Sequence, residues 1–208
     1  MDELGIQSII KRKKQWRSYS GGGESSDNIL DRDFKIDELY LVWLTDVTEF
    51  KVKGRRIYLS PIMDLFNNEI ISHVIGNRQN SDMAIRMVDA ACSTIPYDLR
   101  EDLLLHSDRH SIYRSRAFRE TLEGYGVVQS MSRPGTPLDN APIEGFFGRM
   151  KNEFYYGRSF DDVDTFITGL NSYIKYYNEE RVSSRLKTPP ITYREKYYEG
   201  RANVKNAK

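Results

Sequence analysis

Three carboxylates stand in this chain where ordinary folding physics would not put them. Asp46 interrupts the most apolar stretch, "VWLTDVTEF" at 42–50, and Asp108 ends the apolar run "LLLHSD" at 103–108. Glu144 opens the helical half of "SRPGTPLDNAPIEGFFGRMKNEF" at 132–154. A carboxylate within a strand is disfavoured, and burying one without a partner is costly. Singly, each has an ordinary explanation: Asp46 faces solvent from an alternating strand, Asp108 caps the turn "DRHSIYRS", and Glu144 favours the positive end of a helix dipole. Converging on one sheet edge, they have a chemical one. Clustered carboxylates repel one another unless a cation neutralises them, so a set converging in this way would bind a divalent metal.

The elements that must position them follow from hydrophobic patterning. Residues 39–50, 53–66 and 69–77 are dense in β-branched and aromatic side chains, with a turn at "FNNEI", and predict three strands in an antiparallel meander. Residues 81–92 predict a helix, with Ser81 as N-cap and Ala84, Met87, Val88 and Ala91 at helical spacing. The run at 102–108 has the character of a strand buried on both faces. A helix at 116–126, a strand at 127–132 and helices near 140–156 and 161–178 complete the pattern. The expected fold class is α/β, a mixed five-stranded sheet with three antiparallel strands, then parallel ones, and helices on both faces. Both aspartates reach one edge only if the strand of Asp46 is central and neighbours the strand ending at Asp108. On the later helix, Gly148 and Lys151 share the face of Glu144, while Ile143, Phe147, Met150 and Phe154 form a neighbouring stripe expected in the core. Gly148 is a poor helix residue whose sensible use is close approach by another molecule. Asp139 and Asn140 are expected caps, at the end of a proline-bounded loop that holds Glu144 in place or forms a lip over the site.

Composition sets outer bounds. With 39% hydrophobic and 29% charged residues over 208 positions, the chain can bury a real core. No apolar run approaches the roughly 20 residues of a membrane helix, and the first residues lack the features of a signal peptide. A lone Cys92 cannot form an internal disulfide and suits a reducing, cytoplasmic setting. The net charge of +1 says little, but "KRKKQWR" at 11–17 carries five positive charges and no negative one, and the tail is also basic. Basic ends beside an acidic centre suggest a nucleic-acid surface. The expected organisation is a basic helical segment at 1–17, a Gly/Ser-rich flexible linker at 18–33, a compact core at 34–180 and a basic C-terminal extension at 181–208.

The motifs "WLTDVTEF", "LLLHSDRHSIYRS" and "SRPGTPLDNAPIEGFFGRMKNEF" resemble the three acidic motifs of DDE transposases with a retroviral-integrase-like core. The 35 residues between Asp108 and Glu144, and a Lys seven positions after the Glu, are typical of that superfamily. The tail "YIKYYNEERVSSRLKTPPITYRE" is similar to that of transposases from the insertion-sequence family numbered three, and the resemblance spans roughly residues 28–198. The chain departs from the family pattern at His110 and Ile112, where Gly and Gln are usual, and at Ser183 and Ser184, near a usual His.

The resemblance implies an RNase H-like fold and a bacterial, nucleoid-associated enzyme of DNA integration and recombination that cleaves and joins strands. Asp46, Asp108 and Glu144 would be catalytic and would bind two Mg²⁺ (or Mn²⁺) ions, Asp46 bridging both. Lys151, Arg149, Gly148, Asn140 and Arg181 would face DNA, together with Lys11, Arg12, Lys13 and Lys14. Implied partners are double-stranded DNA at element ends and target, further copies of the chain, and a first-reading-frame DNA-binding protein. "MDELGIQSIIKRKK" resembles only the tail of a DNA-recognition region, so end recognition is expected to lie outside these 208 residues. Competing readings are an RNase H-like nuclease that never joins, a DNA-binding remnant without full activity, and a small-molecule phosphatase; the basic ends and the lack of a Gly-rich phosphate loop disfavour the last.

Overall fold

The computed structural model describes residues 26–100 and 102–206. The expected segment 1–17, with Lys11, Arg12, Lys13 and Lys14, and the first part of the expected linker lie outside the described residues.

The sheet contains β1 (Val42–Thr45), β2 (Thr48–Val52), β3 (Arg55–Asp64), β4 (Ile70–Gly76), β5 (Leu104–Ser107) and β6 (Val128–Met131). β1 is central, antiparallel to β3 on one side and parallel to β5 on the other, while β4 flanks β3 and β6 pairs parallel with β5. The mixed sheet is as expected, but it has six strands rather than five because the first expected strand is split. The register of β1 and β2 against β3 is nevertheless one register, running without slip from Thr45↔Ile62 to Thr48↔Leu59. Carried through the gap, it sets Asp46 opposite Pro61. Proline has no N–H to give to a ladder, and the Pro61 carbonyl accepts instead from the Thr45 hydroxyl at 3.0 Å. β2 and β3 are joined by a two-residue turn with positive φ at Lys53 (47°) and Gly54 (75°), the backbone twist that tight hairpins favour.

Helices cover both faces. α1 (Ser81–Ser93) and α2 (Arg116–Tyr125) pack on Trp43, Ile62 and Leu105. α3 (Ala141–Met150), α4 (Val163–Glu179) and α5 (Pro190–Asn206) lie over Leu44, Leu59 and Leu104. Alternate residues of β1 therefore enter different cores, which is why its four residues are all buried. α1 is capped by Asn80 rather than Ser81, its side chain accepting from the Met83 amide at 3.0 Å. α2 ends at Gly126 in the left-handed region, φ 72°. Cys92 is fully buried, and no described helix is long and apolar enough to cross a membrane.

The packed structure extends beyond 34–180 at both ends. Leu30, within the expected linker, is 1% exposed, and the amides of Ile29 and Leu30 donate to the Ser130 hydroxyl at 2.9 and 3.2 Å. Within the expected C-terminal extension, α5 docks by Arg194–Glu69 at 2.8 Å and by Tyr193 and Tyr197 against the Phe66 ring. α5 has little amphipathic periodicity, its packed side chains being tyrosines among charged neighbours, so its sequence carries no clear helix signal.

Candidate active site

Asp46 is the first residue after β1 and Asp108 the first after β5. The parallel register pairs Leu44 with His106; two residues on, it aligns Asp46 with Asp108 at the carboxyl end of neighbouring strands. Both are half-buried. The Asp46 Oδ1 accepts from the Val47 amide at 2.7 Å, and the Asp108 Oδ1 from the His110 amide at 3.0 Å, so Asp108 does close the local turn as well. Burial pushes the Asp46 carboxyl up to about 7; the charge of Asp108 and, less strongly, that of Glu144 push the same way, against the Val47 amide and Lys151. Two carboxylates facing one another with too little compensation are the electrostatic mark of a cation site.

The floor is Tyr113, fully buried, its hydroxyl 3.3 Å from that of Thr45. Burial, with the charges of Asp46 and Asp108, holds its phenol above the ordinary range, so it stays neutral. Ile112 packs into the core beside it at 3% exposed, while His110 is exposed.

The loop before α3 is fastened at its end. Asp139 is completely buried and accepts from the Arg133 amide (2.9 Å), Nε (3.0 Å) and Nη2 (2.8 Å), from Asn28 Nδ2 (2.8 Å) and from Arg32 Nε (2.6 Å). These donors hold its carboxyl well below the usual range. Asn140 is 2% exposed and gives its Nδ2 to the Thr45 carbonyl at 3.1 Å, next to Asp46. Asn140 holds the N-cap position of α3 but neither side chain caps the helix, and Asn140, expected to face DNA, is instead an internal tie between loop and β1. A buried polar side chain must find a partner, and the strand end offers one. Sequence reasoning missed the role of Asp139, whose signal was the Arg133 six residues earlier.

Glu144 is exposed in the first turn of α3, and Gly145 and Gly148 are exposed with open space where a Cβ would stand. Ile143, Phe147, Met150 and Phe154 are buried as expected, with Phe146 added. From Lys151 to Tyr155 the helix widens into a π turn, a form frequent at functional sites. Lys151 is half-buried with Nζ 5.4 Å from the centroid of the Phe50 ring. Burial lowers its pKa while Glu49 and Asp46 oppose that. Arg149 is exposed, and Arg181 is bidentate to Glu153, with contacts of 2.6–3.1 Å.

Among the described residues no three His, Cys, Asp or Glu side chains are gathered tightly enough to hold one metal ion. The donor chemistry nonetheless fits a hard divalent cation: carboxylate oxygens only, with the aspartates aligned and Glu144 within electrostatic reach of Asp46. The Asn140 Oδ1, buried beside β1 with no donor among the described residues, is a second unmet demand at the same place.

Residues 38–137 match a family model described as an integrase core domain, and residues 125–189 match a second of the same description. The chain is 42% identical over 200 residues to a putative transposase, InsK, for insertion sequence element IS150 of Escherichia coli strain K12, covering 95% of this chain and 70% of that protein. It is 30% identical to a transposase for insertion sequence element IS904 of Lactococcus lactis, covering 89% and 74%. In fold it is similar to the HTLV-2 integrase catalytic core domain in complex with magnesium, dimeric form, at 18% identity, TM-score 0.52, with 70% of this chain and 90% of that one covered. The catalytic core domain of BIV integrase aligns at TM-score 0.56 and 15% identity over 77% and 98% of the two chains.

Proposed function

The chain belongs to the integrase-core transposases of insertion sequences, polynucleotidyl transferases of DNA transposition, and on that footing we propose that Asp46, Asp108 and Glu144 are its catalytic residues. The observation that carries this is the alignment of Asp46 with Asp108 across the β1–β5 ladder, with Glu144 contributing to the field at Asp46. These three would hold Mg²⁺ or Mn²⁺. Two such ions, when bound, stabilise the attacking and leaving oxygens of an in-line displacement at phosphorus.

The chain's own residues do the rest. Asn140 fixes the start of α3 to β1, which braces the helix that carries Glu144. Gly145 and Gly148 leave the α3 backbone bare for a sugar–phosphate strand. Lys151 offers a phosphate an ammonium, and contacts of that kind position DNA without reading its sequence. With water as nucleophile a phosphodiester is hydrolysed; with a 3′-hydroxyl the strand is joined to another, one P–O bond forming as one breaks. Neither route needs a covalent bond to the protein. Double-stranded DNA at element ends and target is the substrate in this reading. Further copies of the chain and a first-reading-frame DNA-binding protein complete the assembly, in the cytoplasm at the nucleoid.

The test is cleavage and joining of labelled element-end DNA with Mg²⁺, using Asp46→Asn as control. Loss of both activities in the variant, with DNA binding retained, is the expected result; a fully active variant overturns the assignment.

A further inference from the structure

The tail motif takes no part in the carboxylate site. Its residues lock α4 and α5 onto the β3–β4 turn: Tyr177 donates to the Asn68 carbonyl at 3.1 Å, Asn178 exchanges bonds with the Ile70 backbone at 3.0 and 2.9 Å, and Arg194 pairs with Glu69. The loop after α4 is closed on itself by Lys187 N to Ser183 O at 2.8 Å. These locks enclose a groove of about 370 Å³, with Arg149, Arg181, Arg185, Ser183, Ser184 and Asn68 among its walls and no carboxylate in its lining.

The side-chain charge in the groove's lining is all positive. Glu153 offsets Arg181, which leaves the charge of two guanidiniums. Arg185 is anchored by Nη2 to the Phe66 carbonyl at 2.9 Å, so its fork is pre-oriented with further N–H groups to give. Guanidinium forks match phosphate oxygens two at a time. Its position separates it from the carboxylates. Asp46 stands opposite Pro61 and Asp64 pairs with Trp43, so the β3–β4 turn begins three residues, about 10 Å, along β3 from Asp46. Arg149 follows Glu144 by five residues, which turns it about 140° away around α3 and moves it about 7.5 Å along the axis.

We propose that this groove is a second phosphodiester site, holding the backbone of a DNA segment other than the one presented to Asp46, Asp108 and Glu144. The proposal rests on the reading of the chain as a strand-joining enzyme: joining requires two DNA segments to be held at once, and one face of α3 serves only one of them. With forks and hydroxyls in its walls, the groove grips backbone and reads no sequence.

The test uses the full chain and a short labelled duplex, without divalent ion, over a range of salt. Ser184 is exposed and outside the locks, so opposite charges can be placed there. Ser184→Glu should weaken duplex binding several-fold and Ser184→Arg should tighten it, both effects fading as salt rises. Arg149→Ala should lower the log–log salt slope by about 0.9, one phosphate contact. In a joining assay, the ratio of joined to nicked product should fall in Ser184→Glu and Arg149→Ala. Binding unchanged in both Ser184 variants at unaltered thermal midpoints, or an unchanged product ratio, overturns the second site. Asp46→Asn separates the two readings: if it stays active, the carboxylate assignment fails while the binding arm still reports on the groove.

Discussion

Asp139→Ala tests whether the fastening of the loop before α3 sets the position of Glu144. The carboxylate is wholly buried and takes five donors, but Arg32 and Arg133 are 41% and 46% exposed and turn to water once released. Their part is therefore small, about 0.2–1 kcal/mol each. The Arg133 amide and the Asn28 amide lose bonds to a charged acceptor, about 1.5–3 kcal/mol apiece before relaxation. Relief from burying the charge offsets part of this, for a net loss of about 2–3 kcal/mol, or about 4–12 °C in Tm for a domain of this size. The sign with pH is fixed by the lowered carboxyl. Its contribution is present above the unfolded value of about 3.9 and is lost only as pH falls through the folded one, so the gap between parent and variant should hold from neutral pH to about 5. Thermal unfolding at several pH values, with hydrogen exchange across 133–140, measures this. Cleavage should slow while DNA affinity stays near the parent's. A shift under about 1 °C, or exchange in the loop unchanged, refutes the reasoning.

In the metal-free protein the Asp46 carboxyl should titrate near 7, and because that is a raised value the stability tied to its protonated form is lost as pH rises through it; Asp108→Asn should move the titration down, read by carboxyl carbon NMR, and no movement would place the aspartates out of mutual reach. Glu144→Gln should abolish cleavage with duplex binding nearly intact, whereas Lys151→Ala should weaken binding and lower its salt slope by about 0.9. Gly169→Ala should cost about 1–3 kcal/mol, since the added Cβ would meet Phe154 Cε2 at 2.9 Å and Cζ at 3.1 Å; denaturant unfolding decides it.

The central placement of the Asp46 strand beside that of Asp108 was legible in the sequence, because a run buried on both faces must lie inside a sheet and only adjacency joins the two strand ends. The buried stripe of α3 was legible from its spacing. The split of the first strand was not read, although Pro61 was in view: a proline interrupts a ladder only where its missing N–H points at the neighbour, and that needs the register. Asp139 and Asn140 have the composition of helix caps, and their use as ties depends on Asn28, Arg32 and Thr45, which approach only after folding. Arg181 looked like a DNA contact by charge, until Glu153, on the π turn that continues α3, claimed it.

The proline opposite Asp46 has a mechanical consequence. Ladder pairing of the long β1–β2 arm holds through Thr45 and resumes at Thr48, both against β3 and in one register. The peptide that carries the carboxylate thus spans a gap between two fixed anchors. It can tilt or translate slightly without breaking a sheet bond or shifting the register on either side. In the role proposed for Asp46, compliance confined to that residue would let its carboxylate adjust to a phosphate while the rest of the sheet stays in register.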